Sequence, residues 1–108
     1  DMMELVTDKR VRAYELTYLL PEALTSAEVT QVKEAIEKLV AKHKISLTSK
    51  EDWGKRELAY PIKYKSQKQY AASYVHLVLE AESSVISEFE KDLYLKQEDI
   101  RHLLVVVA

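Results

Sequence analysis

A single glycine serves this chain of 108 residues, and it stands at position 54, inside a stretch that otherwise alternates like a strand. Glycine within a strand pattern marks a bulge or a close backbone approach, because it alone enters the left-handed backbone region without steric cost. The next residues are Lys55, Arg56, Glu57, Leu58, Ala59, Tyr60, Pro61, Ile62 and Lys63. Side chains of an extended chain point alternately to opposite faces, so Leu58, Tyr60 and Ile62 share one side and Lys55, Glu57 and Ala59 the other. The segment predicts a bent strand that buries one face and offers cations on the other, a surface suited to phosphate.

Periodicity around this bend sets the architecture. Tyr14, Leu16, Tyr18 and Leu20 alternate, predicting a first strand over Arg12–Leu20 that Pro21 stops. Thr25-Ser26-Ala27-Glu28 has the form of a capping box, and Val29, Val32, Ile36, Leu39 and Val40 follow at helical spacing. Lys42, His43 and Lys44 suit the negative end of that helix. A second strand runs from Ile45, with Ile45 and Leu47 inward, past Gly54 to Ile62. A polar loop, Lys63–Gln69, leads to a third strand, Tyr70–Glu80, apolar or aromatic on both faces as a central strand should be. Ser83 or Ser84 caps a second helix that turns Ile86, Phe89 and Leu93 inward, and Arg101–Val107 forms the last strand. The order β-α-β-β-α-β predicts an α+β, ferredoxin-like fold with two helices on one face of a four-stranded antiparallel sheet. Right-handed crossovers put strands one and three in the centre, leaving the second sheet face open. Residues 1–11 read as a flexible N-terminal arm and 12–108 as one domain.

Composition narrows the chemistry. No apolar run approaches the roughly 20 residues that cross a bilayer, and the first residues lack the basic and apolar segments of a signal peptide. Cysteine is absent, which removes disulfides and thiolate chemistry and suits a reducing cytoplasm. His43, His76 and His102 lack metal-ligand spacing, and one glycine cannot build a phosphate cradle. No enzyme, cofactor, metal, membrane or small-molecule substrate is therefore expected. The net charge of −2 opposes unaided nucleic-acid binding. Its distribution is uneven: Lys50–Lys68 holds six cations against three acids, whereas Glu80–Asp99 holds seven acids against two cations. One end of the chain suits an anionic partner and the other a cationic one.

Two blocks of residues carry a resemblance. Trp53 with the decapeptide Gly54–Lys63, and the opening Arg12-Ala13-Tyr14-Glu15, resemble the signatures of the bacterial small-subunit ribosomal protein S6 family, in the same order and at the same spacing. The likeness spans Arg12–Val107. Eleven residues precede Arg12, the loop Tyr64–Gln69 lacks a glycine often found there, and no acidic tail follows Val107; in these the chain departs from the pattern. The resemblance implies a structural protein of the cytoplasmic small ribosomal subunit that binds the central domain of small-subunit rRNA together with the small basic ribosomal protein S18. By position it nominates Arg12, Lys55, Arg56 and Lys63 for phosphate contact, and Tyr14, Trp53 and Tyr60 for packing near RNA or the partner.

Plainer readings stand beside these. Lys55, Arg56 and Lys63 equally suit solvated strand residues that keep a sheet edge from aggregating. Arg56 is the best single phosphate ligand, because a guanidinium holds two oxygens at once, although Glu57 beside it is a competing partner. Tyr60 alternates with core positions, which favours packing. Trp53 can cover the glycine, stack on a base, or receive a partner side chain. Tyr70, Tyr74 and His76 fall on the open face, where protein packing is favoured over base stacking, and the acids of the second helix read as a solvated face. A protein-interaction or small-ligand sensor domain of the same fold, without RNA binding, is the alternative function.

Overall fold

The alternation of β1 (Val11–Pro21) is met residue for residue by β3 (Gln67–Glu82), and these two strands form the middle of the sheet. The computed structural model describes residues 10–107. The remaining elements are α1 (Ser26–Lys42), β2 (Ser46–Tyr64), α2 (Ser83–Lys96) and β4 (His102–Val106). Strand order is β2-β3-β1-β4, antiparallel throughout, so the predicted architecture and central pair are both observed. Of the predicted arm, residues 1–9 lie outside the described residues, and Val11 already belongs to β1.

The core lies between the two helices and one face of the sheet. Tyr14, Leu16, Tyr18 and Leu20 from β1 and Val75, Leu77 and Leu79 from β3 meet Ile36, Leu39 and Val40 of α1 and Ile86, Phe89 and Leu93 of α2. Burying each large apolar side chain contributes about 1.5–3 kcal/mol. The first helix begins as its sequence predicts: Glu28 N–H donates to the Thr25 hydroxyl and Thr25 N–H to the Glu28 carboxylate. It ends in a Schellman turn, with Lys44 at φ 57° donating to Ala41 and Ile45 donating to Val40. No serine caps α2. The cap position is Glu82, which makes no side-chain cap bond and still pairs with Val11, so β3 passes directly into the helix. The expected loop from Lys63 to Gln69 contracts to a two-residue turn at Lys65 and Ser66, both at positive φ as a type I′ hairpin demands.

β2 is the irregular element. Its pairing with β3 slips between Leu47 and Ser49, between Asp52 and Gly54, and between Glu57 and Ile62. The middle slip is a bulge: Gly54 sits at φ +79°, and its N–H donates to Asp52 Oδ1 at 2.9 Å. The last slip leaves Leu58–Pro61 without β3 partners, so Tyr60 swings out to 83% exposure instead of packing inward. Leu47 is also more exposed than expected, because it lies on the edge strand beside the first slip.

Where apolar contact is thin, ion pairs join α1 and the segment before it to β2. Lys33 reaches Asp52 at 2.8 Å, Lys50 reaches Glu37 at 3.3 Å, and Lys55 reaches Glu22 at 2.7 Å. The buried Tyr18 hydroxyl is held protonated, first by desolvation and then by the charges of Glu37 and Asp52. Lys33, then the Gly54 N–H, holds the Asp52 carboxyl below its ordinary 3.8. Its folded pKa lies below the unfolded one, so its contribution is present above the unfolded value and lost as pH falls through the folded value. The pair is half-exposed, which limits this contribution to about 0.2–1 kcal/mol. Lys33→Met should raise the Asp52 pKa toward 3.8 in a carboxyl NMR titration and reduce that acid-dependent stability, the Gly54 N–H keeping its share. An unchanged Asp52 titration would contradict the pairing.

Candidate nucleic-acid interface

The bulge at Gly54 decides which side Lys55, Arg56 and Glu57 take. Before it, Glu51 opposes His76 on the open face and Asp52 opposes Val75 on the helix face. After it, Gly54 opposes Tyr74, Lys55 opposes Ser73, and Arg56 opposes Ala72. Directly opposed residues share a face, and successive residues of β3 alternate. Lys55 therefore points to the helix side, toward Glu22, while Arg56 points to the open side.

Around Arg56 the open face is built from aromatics. Trp53 stacks on His76 with ring centroids 4.5 Å apart and planes 13° from parallel. The Arg56 guanidinium lies 6.0 Å from the Trp53 centroid. His76 is nearly buried; its Nε2 lies 3.0 Å from Glu15 and its Nδ1 3.8 Å from Glu51. Trp53 itself keeps 41% of its surface exposed. Packing on His76 is none of the three roles the sequence left open to Trp53, and the ring keeps an accessible remainder. Tyr70 is exposed and lies on the same face, two residues from Ala72, the partner of Arg56.

Lys63 opposes Lys68 across the hairpin, which by the same alternation places both on the open side with Tyr70 and Arg56. Two like charges directly opposite destabilise a strand pair unless an anion neutralises them. Lys63 also lines a cavity of about 400 Å³ with Tyr94, Gln97, Asp99, Arg101 and His102, where the hairpin meets the α2–β4 connection.

The nominated residues thus divide. Arg56 and Trp53 come together on the β2–β3 margin near Tyr70. Lys63 and Lys68 face each other roughly 13 Å farther along the hairpin at ~3.3 Å per residue, with Lys63 also bordering the α2–β4 connection. Lys55 is held by Glu22 on the other face. Arg12 pairs in register with Ala81, nine residues along β3 from Ala72, so roughly 30 Å separates it from Arg56 at ~3.3 Å per residue. Tyr14 is 8% exposed, so most of its ring belongs to the core and only a remnant borders the groove between α2 and β4. Tyr60 stands at the outer edge, exposed and off the β3 ladder. Lys68 could have been found from the sequence, since a two-residue turn at Lys65-Ser66 sets it against Lys63; the longer loop expected there hides the pairing.

The other histidines are also engaged. His43 and Lys42 at the end of α1 meet Asp92 of α2 at 2.8 and 3.1 Å, and these two partners hold the Asp92 carboxyl below the ordinary range. His102 meets Glu90 at 2.8 Å. Two acids of α2 are thus structural links, where the sequence suggests only a solvated face.

A profile of the family described as Ribosomal protein S6 matches residues 13–106. The small ribosomal subunit protein bS6 of Dehalococcoides mccartyi strain CBDB1 is 31% identical over 97 residues, covering 90% of this chain and 85% of the relative. The protein of the same name from Geotalea daltonii is 29% identical over 92 residues, covering 85% of this chain and 69% of the relative. In structure, the 30S ribosomal protein S6 of Thermotoga maritima superposes with a TM-score of 0.75 at 19% identity, covering 91% of this chain and 89% of that one. The profile match over residues 13–106 and the sequence relatives agree with the observed βαββαβ sheet: this chain belongs to the ribosomal protein S6 family.

Proposed function

We propose that this chain is a structural constituent of the small ribosomal subunit, in the cytoplasm, and that it binds the central domain of small-subunit rRNA cooperatively with ribosomal protein S18. Family membership supports the first half. The observation that carries the second is Arg56 beside Trp53 and Tyr70 on the open sheet face, with the opposed cations Lys63 and Lys68 farther along the same hairpin. Cations there fix position on a phosphate backbone, and exposed rings add sequence-tolerant stacking. The opposed Lys63–Lys68 pair is a repulsion that a polyanion relieves.

Tight solo binding is not expected. Two of the six cations between Lys50 and Lys68 are already paired with Glu37 and Glu22, and the whole chain is net acidic. A basic protein that completes the RNA-facing surface supplies the missing charge, so each protein alone binds weakly and the two together bind well. Nothing in this function calls for catalysis or a cofactor.

Filter binding to a central-domain rRNA fragment should be weak for this chain alone and much stronger with S18 present. Equal affinity in the two conditions would contradict cooperative binding. In the ternary complex, Arg56→Ala should reduce the slope of log K against log salt by about one, while Lys55→Ala leaves it unchanged. The reverse pattern would assign the phosphate contact to the wrong cation.

A further inference from the structure

The last strand leaves an edge that none of the other described residues pairs with. In the β1–β4 ladder, Val107 N–H donates to Ala13 and Leu19 N–H to Arg101, and antiparallel pairing repeats every second residue. The backbone groups of His102, Leu104 and Val106 therefore point away from the sheet. This edge carries none of the usual protection: His102–Val106 contains no proline, lysine or bulge. Leu103 and Val105, exposed at 63% and 43%, lie on the open face opposite Thr17 and Glu15. On the helix side, a groove of about 340 Å³ runs between β4 and α2, lined by Tyr14, Ser83, Ile86, Glu90, Leu104 and Val106. β2, the opposite edge, is guarded by bulges, Pro61 and lysines.

We propose that the outer edge of β4 is a strand-addition site that takes an extended, cationic segment of a protein partner. The inference rests on the reading that a basic protein binds this chain. Added strands are held by main-chain hydrogen bonds, and their alternate side chains reach two surfaces. Here one set enters the β4–α2 groove and the other covers Leu103 and Val105. Charge selects the occupant. Glu15 borders β4 on the open face and Glu90 on the helix face, each half-exposed and each meeting a histidine. A cationic segment finds a carboxylate on either side. A second copy, paired β4 to β4, would instead set two α2 helices side by side across the seam. With them come Glu90 and its acidic neighbours, a juxtaposition of like charge that disfavours self-pairing.

Residue-resolved hydrogen exchange on the full chain, with and without purified S18, tests this. The amides of Leu104 and Val106 should exchange freely in the dilute chain and slow at least about tenfold in the complex. Val106→Pro removes an outward donor without removing a bond to β1, and should weaken S18 binding up to about tenfold. S18 binding with both amides still exchanging freely would overturn strand addition and leave the partner reading intact. No S18 binding at all would overturn both. Protection that grows with chain concentration alone would identify a second copy and overturn the proposal.

Discussion

The hydrogen bond from the Gly54 N–H to Asp52, closed over a backbone at φ +79°, determines what the outer half of this sheet presents. A strand that gains one residue turns every later side chain to the other face. Without that bulge, Lys55 would face the open side and Arg56 would turn toward the helices. With it, Lys55 meets Glu22 and Arg56 meets the Trp53–His76 stack. Glycine is needed here for its backbone rather than for room, since a Cβ at this position would meet nothing within 4 Å. The same Asp52 also binds Lys33, so the bend is coupled to α1.

Charge is divided by face rather than by stretch of sequence. The helix-facing positions of β2, Lys50, Asp52 and Lys55, form a row of ion pairs with Glu37, Lys33 and Glu22. These pairs are half-exposed and individually weak, and their joint effect is to hold an edge strand that has little apolar surface to bury. The open-facing positions keep Arg56 and the opposed Lys63 and Lys68 available along one margin. Toward the other margin the open face becomes apolar and acidic, through Leu103, Val105 and Glu15. A sheet graded in this way suits two partners of opposite charge on its two halves.

Much of this could be read from the residues. The capping box at Thr25 and Glu28, the stripes of α1 and α2, and the alternation in β1 and β3 are local patterns that tertiary packing reinforces, so the fold followed from them. The lone glycine marked the bend. What escaped was register. Alternation through Leu58, Tyr60 and Ile62 implies a buried Tyr60 only if the ladder continues, and it breaks at Glu57. Tyr14 sits in a motif associated with partners, yet its position in β1 places it beneath the helices. Glu57 is the competing partner the sequence offers Arg56, whereas the neighbouring cation that is held is Lys55, by Glu22, 33 residues away in sequence. Such long-range pairs leave no local signature.

The most direct test is an electron cryomicroscopy structure of small ribosomal subunits carrying this chain, refined far enough to place side chains on β2. If the bulge assigns the two neighbouring cations as described, the Arg56 guanidinium will lie within hydrogen-bond reach of a phosphate oxygen while Lys55 stays on Glu22. Lys55 on the RNA, with Arg56 turned toward the helices or bound by a carboxylate of its own chain, would contradict it.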